Sequence, residues 1–542
     1  VKLNYKVMKN QFFLWASLLI LTSCEKSTSF DTVIENGMVY DGTNAPGFLA
    51  MIGINSDTIA YIGPPVKFQA TKTIDASGLA VSPGFINMLS WGYQSLMENG
   101  QSLSDLKQGV TLEVFGEGTS AGPSGTEGTE DYVSFGAAMD SLVKQGVSPN
   151  IASYLGAATV RIQAVGYDNR VATAEELTHM KKIVQQAMEE GAIGIGSSLI
   201  YAPGDYANTQ ELIELCRVAA AYDGRYISHM RNEDNQVMEA LEELITISKE
   251  AQLPAEIYHL KTSRNANWHM LDSVIQRVEK ARASGLQITA DMYTYNASST
   301  GLTGVIPTWV QAGGHKAWIE RMQETKVRSK LLQDINKELS EQPAEGILMV
   351  GFNKSEVSEK YLGKTIEEAA KMRQQTPAEA IIDLIIEDDS RIQCIYFSMS
   401  EENVQKKIQI PWMSFCSDAG SYSDLSKEFK THPRAFGSFA RVLGKYSRDL
   451  GLLSLETAIH KLSGLPATNL GLQKRGFLKV GHYADIVLFD PLKINDHATF
   501  EEPLQFSTGV AHVMVNGVLA IENEIHTGAF PGQFIKGSGA LE

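Results

Sequence analysis

Two short apolar runs that each end on a histidine constrain this chain more than any other feature. One is GRYISHMRNE, with His229 after Tyr226 and Ile227; the other is LPAEIYHLKTS, with His259 after Ile257 and Tyr258. Between them, VMEALEELITISKEAQ carries Leu241, Leu244, Ile245 and Ser248 at the spacing of an amphipathic helix. Strand, helix, strand is a βαβ unit, whose crossover lays both strands parallel in one sheet. Both histidines then sit at the C-terminal ends of their strands, where parallel barrels carry their sites. Two imidazoles side by side there can hold a metal; hydrogen-bonded wall histidines are the plain structural alternative.

The same rhythm runs through the centre of the chain. GLAVSPGFINML, GVTLEVFG, NIASYLG, AIGIGSS, LQITADMY, CIYFSMS and WMSFCSD all read as strands. Helical patterns separate many of them. In TAEELTHMKKIVQQAMEEG, Met180, Ile183, Val184, Ala187 and Met188 share one face, and Thr173 with Glu176 forms a capping box. Asn208 and Glu211 start a second helix in the same way. Eight or nine such strands predict an α/β chain built on a (β/α)8 barrel, over about residues 83–470. The two ends, residues 25–82 and 471–542, are β-rich and predict one small β-sandwich, with Asn36-Gly37 and Asn516-Gly517 as turn signals. A charged helical stretch over about 302–348 is too long for a barrel connection and reads as an insertion near the strand-end face.

Composition narrows the function. The 542 residues have a formal charge of −16 and no run of basic residues, against a nucleic-acid or polybasic membrane footprint. No dinucleotide-type glycine loop or P-loop is present. At the N-terminus, Lys2, Lys6 and Lys9 precede the apolar run Phe12 to Leu21, and Leu-Thr-Ser leads into Cys24. This resembles a bacterial lipoprotein signal, with Met8 as a candidate start. It implies a lipoprotein signal over residues 1–24 with cleavage just before Cys24, a lipid on Cys24, and a body tethered to a membrane at the cell envelope. Cys216, Cys394 and Cys416 would remain, with no spacing that suggests a disulfide framework.

Other strand ends bear on the histidine pair. VTLEVFGEG ends with Glu117 between two glycines, WMSFCSDAG ends with Asp418, and LQITADMY carries Asp291. Glu117, His229 and His259 make a two-histidine, one-carboxylate set that suits a catalytic zinc with an open position for water. Asp418 is placed to take a proton from that water and pass it to a leaving nitrogen.

These residues support a family assignment. SPGFIN at Ser82, QGVT at Gln108, ISHMRNE, YHLKTS, DMYTYNASST at Asp291 and SDAGS around Asp418 together resemble the N-acyl-D-amino-acid deacylases (D-aminoacylases) of the amidohydrolase superfamily. HPRAFGSFARVLGKY from His432 and GHYADIVLFDP from Gly481 extend the likeness. The resemblance implies a metal-bearing barrel with an insertion after the seventh strand. It also implies His229 and His259 as metal ligands, Asp418 as acid/base, and Tyr201, Lys261 and Tyr295 as substrate-binding residues. Arg231, two residues past His229, is a further candidate for the substrate carboxylate.

Two departures stand out. The family's His-x-His pair on the first strand is replaced by Leu89 and Trp91, and its ligating cysteine by Glu117. One divalent ion per chain is therefore expected, rather than two. The activity implied is hydrolysis of an N-acyl-D-amino acid or a small D-residue peptide. The alternatives are a degenerate barrel that binds without turnover and an amidohydrolase acting on cyclic amides or dipeptides.

Overall fold

The computed structural model describes residues 28–425 and 429–541. Cys24 and the apolar run before it lie outside the described residues.

A closed parallel barrel positions everything else. Strand Phe85–Asn87 pairs with Val110–Phe115, which pairs with Asn150–Ser153. The chain continues into Leu155–Gly156, which pairs in turn with Gly194–Ser198. Arg225–His229, Ala255–Ile257 and Ile288–Ala290 follow in order, every pairing parallel. Residues 413–419 close the ring. Met413 bridges Ala290 on one side, Ala419 bridges Ser90 on the other, and the Asp418 N–H donates to the Leu89 carbonyl at 2.9 Å. Parallel strands need crossovers, and the helices supply them. Val237–Ala251 buries Leu241, Leu244, Ile245 and Ser248, the face expected from their spacing. Ala174–Glu190 carries the complete Thr173/Glu176 capping box and buries all five predicted apolar residues. Asn208 accepts from the Glu211 N–H at 2.8 Å to start Thr209–Ala220.

Both chain ends share a single nine-stranded sheet. The join is antiparallel pairing of Ala80–Pro83 with Ile486–Phe489. Ile34, Ile52, Ile59 and Val81 from one end meet Ile486, Leu488 and Met514 from the other in one apolar core. The two Asn-Gly signals have different fates. Asn516-Gly517, both at positive φ, forms the hairpin turn between Val510–Val515 and Val518–Glu522. Asn36-Gly37 forms no hairpin turn: it lies inside strand Thr28–Val39, where the register with Phe48–Asn55 shifts, so it makes a bulge.

The excursion after the seventh barrel strand runs beyond the helical stretch 302–348. It is an antiparallel sheet of Ser298–Gly301, Gln393–Tyr396 and Ile347–Gly351, with helices such as Thr325–Glu341 and Pro377–Asp388 packed on it. CIYFSMS supplies the middle strand of this sheet and is not a barrel strand. The excursion has its own core, built on Leu302, Trp318, Ile335, Ile347, Ile381 and Ile385.

Candidate active site

Three strand ends bring Glu117, His229 and His259 together. One Glu117 oxygen, Oε1, lies 2.8 Å from His229 Nδ1 and 3.1 Å from His259 Nε2. One ligand atom from each residue falls within 4.8 Å of the others, and all three residues are buried. The glycines beside Glu117 are required by geometry. Gly116 has φ +108°, and a Cβ there would stand 2.2 Å from the Tyr154 carbonyl oxygen. Gly118 has φ +69°, and its Cβ would meet that of Ser198 at 2.6 Å. His259 and Asp418 are themselves left-handed, at φ 34° and 49°, a conformation that non-glycine residues adopt chiefly where tertiary structure imposes it.

Glu233, four residues past His229, faces the other side of both rings. His229 Nε2 lies 3.3 Å from Glu233 Oε2, and His259 Nδ1 lies 3.1 Å from Glu233 Oε1. Each imidazole is thus bracketed, with Glu117 on one nitrogen and Glu233 on the other. Lys261 Nζ sits on the Glu233 side, 2.8 Å from Oε1 and 2.7 Å from His259 Nδ1. A cation is repelled from that side. Among the described residues no lysine or arginine pairs with Glu117, so the Glu117 side is the one suited to a metal.

The ionisation pattern agrees. Burial opposes charge on Glu117, yet hydrogen bonds from both histidines hold its carboxyl well below the usual range. Burial likewise opposes charge on Glu233, and the surrounding His229, Lys261 and His259 override it. His259 is discouraged by burial and by Lys261, but Glu233, Asp418 and Glu117 raise it to about 10. Two carboxylates around two imidazoles make a pocket that holds positive charge. The inner nitrogens and Glu117 Oε1 fit a divalent ion as its ligands. With Nδ1 of His229 and Nε2 of His259 so engaged, Glu233 is the anion on the outer side of both rings, and the Lys261 ammonium, a donor, also reaches His259 Nδ1.

Asp418 lies beside this cluster. Its Oδ1 accepts from the Trp91 indole N–H at 3.2 Å, and its Oδ2 is 2.6 Å from Arg434 Nη1. Trp91, read from sequence only as a lost ligand, therefore fixes the carboxylate opposite. Leu89 is wholly buried in the barrel core. Above these groups a cavity of about 700 Å³ opens between the barrel mouth and the insertion.

The remaining candidates divide. Tyr201 lines the cavity, its ring 5.2 Å from that of His229. Lys261 also lines it, but its charge is taken up by Glu233. Arg231 is not brought to the cavity: it forks onto Glu243 and donates to the carbonyls of Asp205 and Ala207. Tyr295 is also turned away, its hydroxyl 3.2 Å from Asp496 Oδ2; Tyr293 is the tyrosine of that strand that faces the cavity. Asp291 is structural, accepting the His259 backbone N–H at 2.8 Å. Cys416 is a buried thiol pushed up by burial and by Asp291, as suits a core residue. His432, also buried, donates to the Ala297 carbonyl at 2.9 Å. Glu233 and Arg391, another residue of the cavity wall, escaped the sequence reading. For Glu233 a signal existed, its place in ISHMRNE; for Arg391 none did.

A carboxylate and two histidines at the C-terminal mouth of a closed (β/α)8 barrel, with an aspartate on its last strand, define an amidohydrolase. The amidohydrolase family model matches residues 421–521. D-aminoacylase of Alcaligenes xylosoxydans xylosoxydans is 31% identical over 95% of this chain and 99% of its own length. The crystal structure of N-acyl-D-glutamate deacylase from Bordetella bronchiseptica, complexed with zinc and a phosphonate mimic of the tetrahedral intermediate, is 30% identical. It has a TM-score of 0.78 over 94% of this chain and 100% of that one. A solved D-aminoacylase with a binuclear metal centre, described by one-metal activation and second-metal attenuation, is 32% identical, with a TM-score of 0.78 over 93% and 99% of the two chains. The chain belongs to the D-aminoacylase family of amidohydrolases.

Proposed function

We propose that this protein is a metal-dependent hydrolase that cleaves the amide bond of N-acyl-D-amino acids, releasing a carboxylic acid and a free D-amino acid. One observation carries the reading: Glu117, His229 and His259 each bring a ligand atom within 4.8 Å of the others, Glu117 Oε1 lying 2.8 Å from His229 Nδ1 and 3.1 Å from His259 Nε2, at the floor of the cavity that Asp418 also lines. These three atoms would hold one zinc ion, the metal found in the Bordetella relative. Such an ion polarises an amide carbonyl and makes water acidic enough to act as a nucleophile near neutral pH. Leu89 and Trp91 offer no ligand for a second ion.

The chain's own groups do the rest. Asp418 takes the proton released as water adds to the carbonyl and delivers it to the departing nitrogen. Trp91 and Arg434 hold its two oxygens apart and fix its direction. Arg434 pairs with Asp418 through Nη1 and keeps a buried Nε with no hydrogen-bond partner, a donor left for the substrate's α-carboxylate beside the scissile bond. Tyr201 packs against the His229 ring and narrows the entry. Lys261 lines the same cavity while paired with Glu233.

The experiment is hydrolysis of N-acetyl-D-amino acids by purified protein before and after chelation, with metal content measured. His259→Ala and Asp418→Asn are expected to abolish turnover, the first with loss of metal and the second without. A metal-free protein that hydrolyses at the same rate sinks the mechanism. The reading also includes a lipid on Cys24 and a place at the cell envelope, supported by the basic, apolar and small-residue order of the N-terminus. Among the described residues no helix is long and apolar enough to cross a membrane. Fatty-acid labelling lost in Cys24→Ser tests the anchor.

A further inference from the structure

Arg391 is an arginine that the reaction above does not use. It lies exposed two residues before the insertion's middle strand and borders the cavity. Its Nε donates to Thr303 Oγ1 at 3.1 Å and its Nη2 to Thr300 Oγ1 at 3.4 Å. Its guanidinium lies 5.3 Å from the centre of the Tyr201 ring. These neutral partners set its direction and leave its charge uncompensated.

The other cations of the wall are matched. Lys261 faces Glu233, Arg434 faces Asp418, and Arg264 is held by Asp234, Glu338 and Glu341. Among the described residues lining the cavity, Arg391 is the one lysine or arginine without a carboxylate partner. Tyr201 fixes its distance from the chemistry. One contact of that ring is Arg391 and another is His229, so the guanidinium stands a single aromatic ring away from the metal ligands. That gap suits a short side chain projecting from a substrate whose amide lies over the metal. Ser299, Thr300 and Gln393 add hydroxyls and an amide to the same stretch of wall. A guanidinium's planar fork matches a carboxylate in two parallel hydrogen bonds.

We propose that Arg391 receives the side-chain carboxylate of the substrate, and that the preferred substrates are N-acyl-D-amino acids with an acidic side chain, D-glutamate or D-aspartate. The inference rests on the hydrolase reading and adds the side-chain class to it. The two carboxylates of such a substrate are read by different parts of the fold. Arg434, at the start of the helix that follows the last barrel strand, takes the one beside the scissile nitrogen, and the insertion takes the other.

The test compares kcat and KM of the metal-loaded full chain on N-acetyl-D-glutamate, N-acetyl-D-aspartate and N-acetyl-D-leucine. Wild type should favour the acidic pair. Arg391→Met should raise KM for that pair about 10- to 100-fold, the worth of a hydrogen bond to a charged group, with kcat and N-acetyl-D-leucine turnover unchanged. Arg391→Lys should recover part of the loss. Calorimetric titration of metal-free protein with N-acetyl-D-glutamate should show the same weakening, independent of turnover. Hydrolysis of N-acetyl-D-leucine but of neither acidic substrate would overturn the inference and leave the hydrolase reading standing. An equal loss on all three substrates in Arg391→Met would also overturn it. Failure to cleave any of the three by wild type would instead defeat the hydrolase reading.

Discussion

Glu233→Gln is the substitution that most directly probes how the metal ligands are held. Glu233 is the shared anion beside the outer nitrogens of both histidines, at 3.3 and 3.1 Å, and the counter-ion of Lys261 at 2.8 Å. An amide carries no charge, so the outer side of both imidazoles loses its anion. Losing the outer partner of ligating histidines typically costs 10- to 100-fold in metal affinity. The same change strands the buried Lys261 ammonium, and breaking a buried pair from one side costs about 3–5 kcal/mol of stability. These two losses separate in the double variant. Glu233→Gln with Lys261→Met removes the stranded charge, so denaturant stability should return to within about 1–2 kcal/mol of wild type. Metal affinity should stay low. The assay is chelator competition for zinc alongside urea unfolding of the metal-free proteins. Zinc affinity of Glu233→Gln within twofold of wild type would refute the argument that Glu233 supports the ligating histidines.

Three further outcomes follow from the geometry. Trp91→Phe removes the N–H that Asp418 accepts and keeps the ring; kcat should fall by up to about tenfold, the worth of one neutral-donor hydrogen bond, with metal content unchanged. Gly116→Ala forces a Cβ against the Tyr154 carbonyl oxygen at a positive φ and should cost more than ~1 kcal/mol in thermal or urea unfolding, together with zinc affinity, because Glu117 moves with it. Burial and the neighbouring Asp291 raise Glu256 to about 8, so the native state keeps a proton that the unfolded chain loses near pH 4.5. Stability from this group is complete below that pH and declines as pH rises toward 8; Glu256→Gln should flatten the fall of Tm between pH 5 and 8, and an unchanged slope would exclude Glu256 as its source.

The barrel was legible because its signals are local. The helix faces of Ala174–Glu190 and Val237–Ala251 follow from residue spacing alone, and the strands between them follow from the turn chemistry that bounds them. Glu117, His229, His259 and Asp418 were legible because each closes a strand, and parallel closure sends all such ends to one mouth. The rest depends on contacts between distant segments. Arg231 and Lys261 each lie two residues past a ligand, a spacing that in a strand would share its side, but both lie beyond their strand ends. Which anion meets them is decided by Glu243 and Glu233, whose positions no periodicity encodes. Tyr293 and Tyr295 alternate on one run, and only packing against Asp496 selects the inward one. The sheet of the insertion was missed because its outer strands are four or five residues long and sit among helices with stronger patterns.

The barrel's seam couples folding to chemistry in a definite order. Trp91 and Asp418 are 327 positions apart in the chain, and they touch only when the last strand docks beside the first. The three ligand residues come from strands that lie earlier in the sequence, while the proton carrier sits on the strand that closes the ring. The full catalytic set is therefore assembled only by closure of the barrel, and any change that loosens that seam separates the proton carrier from the ligands it serves.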